Sequence, residues 1–264
     1  MLQLNNVYKT FNIGTINEKH ALNGLNLHLN PGDFTTVIGG NGAGKSTMLN
    51  AISGVWPIDS GSIVINGTDV TALPEYKRAA YLGRVFQDPM LGTAAYMEIQ
   101  ENLALALRRG KKRTLRWGIT GEEREKYHEL LKTLDLGLEN RLTTKVGLLS
   151  GGQRQALTLL MATLTKPDLL LLDEHTAALD PKTAAKVLDI SDRIIAEEKL
   201  TALMVTHNMR DAIAHGNRLI MLKDGKIILD IAGEEKKHLT VEDLLAKFAS
   251  VAGEDLDNDR MLLG

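Results

Sequence analysis

Three short apolar runs stand out along the chain, and each is followed at once by glycine or polar residues. They are Thr35–Ile38, Leu169–Leu172 and Ala202–Val205. Uninterrupted apolar runs of this length are typical of strands that are buried on both faces of a parallel sheet. Helical patterns lie between them, such as the segment that begins with Pro181. Strands that alternate with helices predict an α/β fold with a largely parallel sheet.

Two other patterns interrupt this alternation. Asn66-Gly67 and Asp224-Gly225 each separate two strand-like runs, which predicts a β-hairpin with a two-residue turn at both places. Residues 89–153 are helix-rich and predict a helical subdomain that is inserted into the core. Residues 236–264 predict one helix followed by an acidic tail, so the main domain is expected to span residues 1–235.

The composition narrows the function classes. The chain has 264 residues, of which 44% are hydrophobic and 24% charged, as in ordinary soluble globular proteins. Its formal net charge of -2 gives no reason to expect nucleic-acid binding, which usually requires a basic excess. The absence of cysteine excludes disulfides and cysteine-ligated zinc, and it suits a cytoplasmic protein. We see no secretory signal pattern and no run of roughly 18–20 apolar residues, so any membrane role is expected to come through a partner.

The first apolar run leads into a glycine loop with the pattern Gly39-x-x-x-x-Gly44-Lys45-Ser46 and then into a helix. This setting predicts a phosphate-binding loop (P-loop), because backbone amides and a helix N-terminus attract phosphate. Lys45 would reach the β- and γ-phosphates of ATP, and the Ser46 hydroxyl would ligate Mg²⁺. The alternative, a glycine-rich turn that ends in Gly-Lys-Ser by chance, is rare when the whole pattern is present. The residues predicted to bind the nucleotide here are Gly39, Asn41, Gly42, Ala43, Gly44, Lys45, Ser46 and Thr47.

The second apolar run ends in two acids, Asp173 and Glu174. A magnesium nucleotide site needs a carboxylate at the end of a neighbouring strand, and Asp173 is predicted to hold Mg²⁺ there. Glu174 is predicted to face the γ-phosphate and to polarise the attacking water as a general base. A buried strand that ends in solvated acids is an equally common interpretation of this run alone. The pairing with the P-loop favours the catalytic interpretation.

A second motif narrows the class of P-loop protein, which the loop alone leaves open. The stretch LSGGQRQ, Leu149 to Gln155, resembles the signature motif of ATP-binding cassette (ABC) ATPases, and residues 1–235 follow the motif order of that family. The resemblance implies a P-loop NTPase (RecA-like) core with a mostly parallel sheet, an N-terminal antiparallel β subdomain and an inserted α-helical subdomain. The positions that it adds to the site are Tyr8 for stacking on adenine, Gln87 for reaching Mg²⁺ and the attacking water, Asp180 in the D-loop and His207 for contacting the γ-phosphate.

In that family two ATPase subunits pair head to tail. The resemblance implies that ATP on the P-loop of one subunit is closed over by the signature of the other, here Ser150, Gly151, Gly152 and Gln153. Hydrolysis then removes the contacts that hold the dimer closed. The implied partners are a second ATPase subunit in a homodimer, an integral membrane permease and an extracytoplasmic solute-binding protein. The implied location is cytoplasmic, at the inner face of the membrane, and the implied process is import of amino acids or another small solute.

Four assignments keep a second interpretation. Phe11 is the alternative to Tyr8 as the adenine platform, because stacking requires only a flat aromatic face. Gln87 alone would be uninformative, and its assignment depends on its spacing and its neighbours. A histidine after an apolar strand is more often a core residue, and the place of His207 in the motif order reverses that preference. The basic run from Arg108 to Arg116 is either a lipid contact or, as the simpler interpretation, a solvated helix end and loop.

Two further features remain open. Many import cassettes carry proline after the glutamate, whereas this chain carries His175, which either modulates the subunit interface or is a neutral subfamily substitution. The stretch DEHTAALDP is similar to cassettes of uptake systems assigned to aromatic amino acids such as tryptophan. Residues that either line a groove for the permease or belong to the helical core are Met90, Leu91, Tyr96 and Met97.

Other classes of P-loop protein compete with the transporter interpretation. Chromosome-maintenance ATPases would need a long coiled-coil insertion, and translation-factor ATPases would need two cassettes in one chain; the sequence has neither. A small-molecule kinase would carry a lid and an acceptor pocket in place of the signature helix. An iron–sulfur assembly ATPase differs mainly in its partner and stays the alternative.

Overall fold

Ten strands and nine helices make up the part of the chain described by the structure, a computed structural model that covers residues 1–111 and 118–252. The strands are β1 (Leu2–Phe11), β2 (Lys19–Leu29), β3 (Phe34–Ile38), β4 (Ser60–Ile65), β5 (Thr68–Asp69), β6 (Leu82–Val85), β7 (Leu169–Asp173), β8 (Thr201–Val205), β9 (Arg218–Lys223) and β10 (Lys226–Ala232). The helices are α1 (Lys45–Ser53), α2 (Glu75–Arg78), α3 (Ile99–Leu107), α4 (Gly121–Lys132), α5 (Gly151–Thr163), α6 (Pro181–Glu198), α7 (Met209–Ala214), α8 (Glu234–Lys237) and α9 (Val241–Ala252), with a 3-10 turn at Val146–Leu148.

The central sheet has the strand order β10-β9-β3-β8-β7-β6. The strands from β9 to β6 run parallel to one another, and β10 is antiparallel to β9. All residues of β3 and β8 are buried, as are Leu169–Leu172 of β7, because both faces of the sheet are covered. This confirms the predicted α/β fold with a mostly parallel sheet. The carboxyl ends of β3, β6, β7 and β8 meet at one edge, from which the predicted site residues continue.

A second sheet, with the order β2-β1-β4-β5, is antiparallel throughout. It confirms the predicted N-terminal antiparallel subdomain. Both predicted hairpin turns are present, because Asn66 and Gly67 have φ of 48° and 77°, and Asp224 and Gly225 have φ of 49° and 73°. Positive φ at both central positions is what a two-residue hairpin turn requires.

Two hydrophobic cores lie on opposite faces of the central sheet. Leu170 and Leu172 of β7 belong to the core that includes α3, α4 and α5, whereas Leu169 and Leu171 belong to the core around α1 and the antiparallel sheet. A third cluster joins α7, β9 and α9, and it buries Phe248. The predicted C-terminal helix is therefore packed against the rest of the molecule.

Residues 89–153 contain α3 and α4, each of which begins with a capping box. The predicted boundary at residue 153 falls within α5, which continues to Thr163 beside the central sheet. The division into residues 1–235 and 236–264 stays a prediction, and the acidic tail beyond residue 252 lies outside the described residues. Within the described residues, no helix is both long enough and apolar enough to cross a membrane.

Candidate nucleotide-binding site

The glycine loop between β3 and α1 is pressed against two neighbouring strands. A Cβ at Gly39 would lie 2.3 Å from the carbonyl oxygen of Leu222, and a Cβ at Gly44 would lie 2.5 Å from that of Ala21. Gly44 also has a φ of 106°, a left-handed conformation that side chains disfavour. The glycines of the motif are therefore required by close backbone approach.

Helix α1 begins directly after Gly44 without a side-chain cap. The amides of its first turn, which include those of Ser46 and Thr47, have no partner within the helix and can bind an anion. The Nζ of Lys45 donates to the carbonyl oxygens of Gly39, at 2.6 Å, and Gly40, at 3.1 Å. Burial lowers the pKa of Lys45, and the nearby carboxylates of Glu174 and Asp173 oppose that shift.

The two acids and His207 meet the P-loop at the carboxyl edge of the sheet. Asp173 is the last residue of β7 and pairs in register with Val205 of β8. Glu174 follows with a φ of 46°, so the chain turns sharply at the predicted general base. Its Oε1 lies 2.6 Å from the Nε2 of His207, two residues beyond β8. The structure therefore brings Lys45, Glu174 and His207 to one cleft, as the motif order predicts.

Gln87 lies on the same edge, two residues beyond β6, and it is exposed. Val85 pairs with Leu172, so the chain leaves β6 beside the end of β7. This position is compatible with the predicted role of Gln87, which stays a prediction.

Arg84 is a neighbour of Asp173, the predicted magnesium ligand, and no motif in the sequence pointed to it. Its Nη2 donates to Oδ2 of Asp173 at 3.1 Å, and its Nη1 donates to Oγ of Ser53 at 3.1 Å. The guanidinium also lies 4.6 Å from the ring centroid of Phe86. Arg84 is in the middle of β6, and only the strand pairing reveals that it reaches Asp173.

The described lining of the P-loop cleft bears on the choice between Tyr8 and Phe11. The cleft has a volume of about 340 Å³, and Phe11 and Lys19 are among the residues that line it. The ring of Phe11 packs edge to face on Trp56, with centroids 4.9 Å apart. Tyr8 lies elsewhere, with its ring and hydroxyl over Gly24. Phe11 therefore lies at the P-loop cleft, whereas Tyr8 does not belong to its described lining, and which of the two stacks on adenine stays a prediction.

The physical reason for this difference is the irregular pairing of β1. Its register with β2 shifts between Val7 and Tyr8 and again between Lys9 and Thr10. Simple alternation along a strand therefore fails to tell which aromatic side chain faces the cleft. Lys19 was also missed, since a lysine at the start of a strand carries no motif signal.

The signature stretch starts α5 with its own cap. The Oγ of Ser150 accepts the N–H of Gln153 at 3.3 Å, and the Oε1 of Gln153 accepts the N–H of Ser150 at 3.2 Å. The amides of Gly151 and Gly152 stay available at the helix start. A Cβ at Gly152 would lie 2.1 Å from the Cγ2 of Thr183, so this glycine is also required where α5 meets α6.

Asp180 ends the D-loop as the N-cap of α6. Its Oδ1 accepts the N–H of Thr183 at 3.1 Å, and Pro181 occupies the first helical position. Hydrogen bonding to Thr183 lowers the pKa of Asp180. Among the described residues, those that line the P-loop cleft include neither Asp180 nor any part of Ser150–Gln153.

The predicted magnesium ligands fit a hard cation. The Ser46 hydroxyl and the Asp173 carboxylate supply oxygen, which is the donor that Mg²⁺ prefers. Among the described side chains, no group of three or more His, Cys, Asp or Glu is arranged to hold a metal by itself. A site of this kind binds Mg²⁺ through few protein oxygens together with substrate phosphates.

Two surface features were given two interpretations each, the basic run from Arg108 to Arg116 and the apolar residues after Gln87. Arg108 pairs with Glu123 at 2.9 Å, and Arg109 donates to Thr165 at 2.8 Å, which favours the structural interpretation of the start of the basic run. Residues 112–116 of that run lie outside the described residues. Leu91 and Tyr96 are strongly exposed, and Leu91 lines a groove with Arg84 and Phe86.

Comparisons with known proteins agree with this site. The sequence matches the ABC transporter family over residues 22–177, more than half of the chain. It is 46% identical to a tyrosine transport ATP-binding protein of Clostridioides difficile (strain R20291), over 94% of this chain and 98% of the relative. The ABC transporter ATP-binding protein YxdL of Bacillus subtilis (strain 168) is 34% identical over 99% of both chains.

Solved structures give the same result. One is a dimeric post-hydrolysis state of the ATP-binding cassette MJ0796 bound to ADP and Pi, with a TM-score of 0.75 and 31% identity. That match covers 88% of this chain and 98% of the solved one. The ADP conformation of the cassette MJ1267 is similar with a TM-score of 0.77 and 28% identity, over 94% of this chain and 98% of the solved one.

Proposed function

The chain belongs to the ABC transporter family as an ATP-hydrolysing cassette, and from this premise we propose that it dimerises head to tail around two ATP molecules to power a separate membrane permease. The observation that carries the proposal is the separation of its two phosphate-binding helix starts. The P-loop lines a cleft together with side chains from other elements, whereas Ser150–Gln153 contribute nothing to the described lining of that cleft. The similarity to a dimeric cassette bound to ADP and Pi supports the same arrangement.

Within one subunit, the P-loop cleft holds the nucleotide. The open amides of α1 and the Nζ of Lys45 bind the phosphates, and Lys45 leaves the carbonyl oxygens of Gly39 and Gly40 to do so. Phe11 stacks on the adenine ring. Ser46 and Asp173 would hold Mg²⁺, which would neutralise phosphate charge.

Hydrolysis requires a water in line with the γ-phosphate. Glu174 accepts the proton of that water as the general base, and His207, 2.6 Å from its carboxylate in this structure, orients the glutamate and contacts the γ-phosphate. Gln87, at the same sheet edge, senses the site and links it to the exposed surface around Leu91. Loss of the γ-phosphate removes the contacts that hold the dimer closed.

The direction of transport is proposed to be import, and the solute a small molecule such as an amino acid. The relative of C. difficile is named a tyrosine transport ATP-binding protein and matches nearly the whole chain, which favours an aromatic amino acid. The partners are then a permease, which places the cassette at the cytoplasmic face of the membrane, and an extracytoplasmic solute-binding protein.

The catalytic part is tested by Glu174→Gln. Amide replaces carboxylate at nearly the same size, so ATP binding and ATP-dependent dimerisation persist while hydrolysis falls by about 10²–10⁴-fold. Turnover and sedimentation of the dimer measure the two effects. Near-normal turnover would end the assignment of Glu174 as the base.

The transport part is tested by purification from the native membrane and by tyrosine uptake in vesicles. A polytopic membrane subunit that co-purifies, together with ATP-dependent uptake, supports the proposal. A soluble assembly scaffold in place of the membrane subunit would identify the iron–sulfur alternative and contradict it.

A further inference from the structure

The residue after Glu174 is held inside the molecule. His175 is buried, and its Nε2 lies 3.1 Å from the Oγ of Ser191 in α6. The hydroxyl of Ser191 donates its only proton to the carbonyl oxygen of Val187, at 2.9 Å. The imidazole must therefore donate its Nε2–H to Ser191. Because the side chain is buried, it makes no contact with a second subunit.

Asp192, the next residue of α6, contacts the segment that follows α7. Oδ2 of Asp192 lies 2.7 Å from the Nδ1 of His215. His215 directly follows α7, the short helix that begins two residues after His207. Two adjacent residues of α6 thus contact the segments that carry Glu174 and His207.

This arrangement matters because Glu174 has an unfavourable backbone conformation. A φ of 46° in a residue other than glycine is unfavourable and persists only where the surroundings fix it. The backbone supplies two such contacts, since the N–H of Glu174 donates to Val205 at 3.0 Å and its carbonyl oxygen accepts the N–H of Ala177 at 3.0 Å. The hydrogen bond between His175 and Ser191 adds a side-chain contact next to this turn.

Helix α6 is suited to fix both segments. It has 18 residues, begins with the Asp180 cap and packs into the large core through Leu188 and Ile195. A shift of its surface relative to the sheet would change the 2.6 Å separation of Glu174 and His207.

We propose that Ser191 and Asp192, two adjacent residues of α6, fix the positions of His175 and His215 through their hydrogen bonds. His175 and His215 thereby act as positioning residues for Glu174, the proposed general base, and for His207. The inference rests on the proposed roles of Glu174 and His207.

The first arm of the test removes the bond from either side. His175→Leu keeps a bulky side chain without a donor, and Ser191→Ala removes the acceptor. Because the reacting groups shift while the P-loop is unchanged, kcat falls by about ten- to a hundredfold and the ATP affinity stays within about twofold. The double variant is no worse than either single variant, since both remove the same contact.

Conservative and matched controls separate positioning from general stability. His175→Gln keeps an N–H donor at a similar distance and restores most of kcat. Thr163→Ala removes a buried hydroxyl that bonds only the carbonyl oxygens of its own helix, Leu159 and Leu160, and leaves kcat unchanged. His215→Leu lowers kcat and His215→Asn, which keeps a donor for Asp192, restores it.

The outcomes are distinguishable from a failure of the proposed function. If Glu174→Gln is inactive and both His175→Leu and Ser191→Ala keep kcat within about twofold of the parent, the proposed positioning by α6 is wrong, whereas the assignment of Glu174 as the general base stands. A loss of thermal stability without a loss of kcat per folded molecule also overturns it. Should His175→Leu not fold, Ser191→Ala decides alone. If Glu174→Gln keeps its turnover, the proposed function fails first.

Discussion

The two helix starts that are proposed to face phosphate, those of α1 and α5, differ in how their first amides are paired. The start of α1 has no side-chain cap, and the ammonium of Lys45 folds onto loop carbonyls that a nucleotide would free. The start of α5 is closed by the mutual hydrogen bonds of Ser150 and Gln153 and lies outside the cleft of its own P-loop. The uncapped start of α1, which lies in a cleft, can bind a ligand without a second subunit. The start of α5, with its cap and two free glycine amides, is proposed to be one half of a site that a second subunit completes.

The largest expected effect comes from the open loop. Lys45→Ala removes the buried ammonium and should weaken ATP binding by about tenfold to a hundredfold, because charge-assisted bonds to phosphate contribute roughly 1.5–3 kcal/mol. Fluorescent ATP titration of the monomer measures this. Lys77→Ala, which removes an exposed lysine, is the control and should bind normally. Equal affinities of the two variants would contradict the P-loop assignment.

The next effect isolates the capped start. Gly152→Ala places a methyl group against Thr183 and should lower the free energy of unfolding by about 1–3 kcal/mol. The ATP affinity of the monomer should not change. Thr183→Ser removes the opposing methyl, so the double variant should recover stability in chemical denaturation. Without that recovery, the contact between α5 and α6 is not the reason for this glycine.

A smaller effect separates the two aromatic residues of β1. Phe11→Ala should weaken ATP binding by about 1–2 kcal/mol through lost stacking. Tyr8→Ala should change only the free energy of unfolding, since the ring of Tyr8 lies over Gly24. Titration with ATP and with inorganic triphosphate distinguishes adenine stacking from a general loss. A larger loss of ATP affinity in Tyr8→Ala than in Phe11→Ala would assign the stacking on adenine to Tyr8.

The smallest effect lies outside both phosphate loops. The carboxylate of Asp192 raises the pKa of His215, so this pair stabilises the folded state below the unfolded pKa of about 6.5 and loses its contribution as the pH rises through the raised value. Asp192→Asn should therefore reduce the free energy of unfolding more at about pH 5.5 than at about pH 9. Urea denaturation at both values measures the difference. A constant difference would mean that His215 does not titrate with folding.

Local patterns predicted the frame of this molecule well. The buried runs became β3, β7 and β8, both hairpin turns formed, and Lys45, Glu174 and His207 met in one cleft because parallel strands share a carboxyl edge. The short helix α8 was not predicted.

What the sequence could not predict depends on contacts between distant residues. The bulges of β1 decide that Phe11 lines the P-loop cleft and that Tyr8 lies over Gly24. The approach of Gly152 to Thr183 and the bond from Arg84 to Asp173 have no local signal, because each joins two elements that are far apart in the chain.

Ser150→Arg tests the central claim most directly. The signature is proposed to serve the nucleotide of a second subunit, so a bulky side chain there should leave the ATP affinity of the monomer within about twofold of the parent. The same variant should lose ATP-dependent dimerisation in sedimentation, in the Glu174→Gln background that otherwise traps the dimer. A large loss of monomer affinity would place the signature on its own nucleotide and contradict the account.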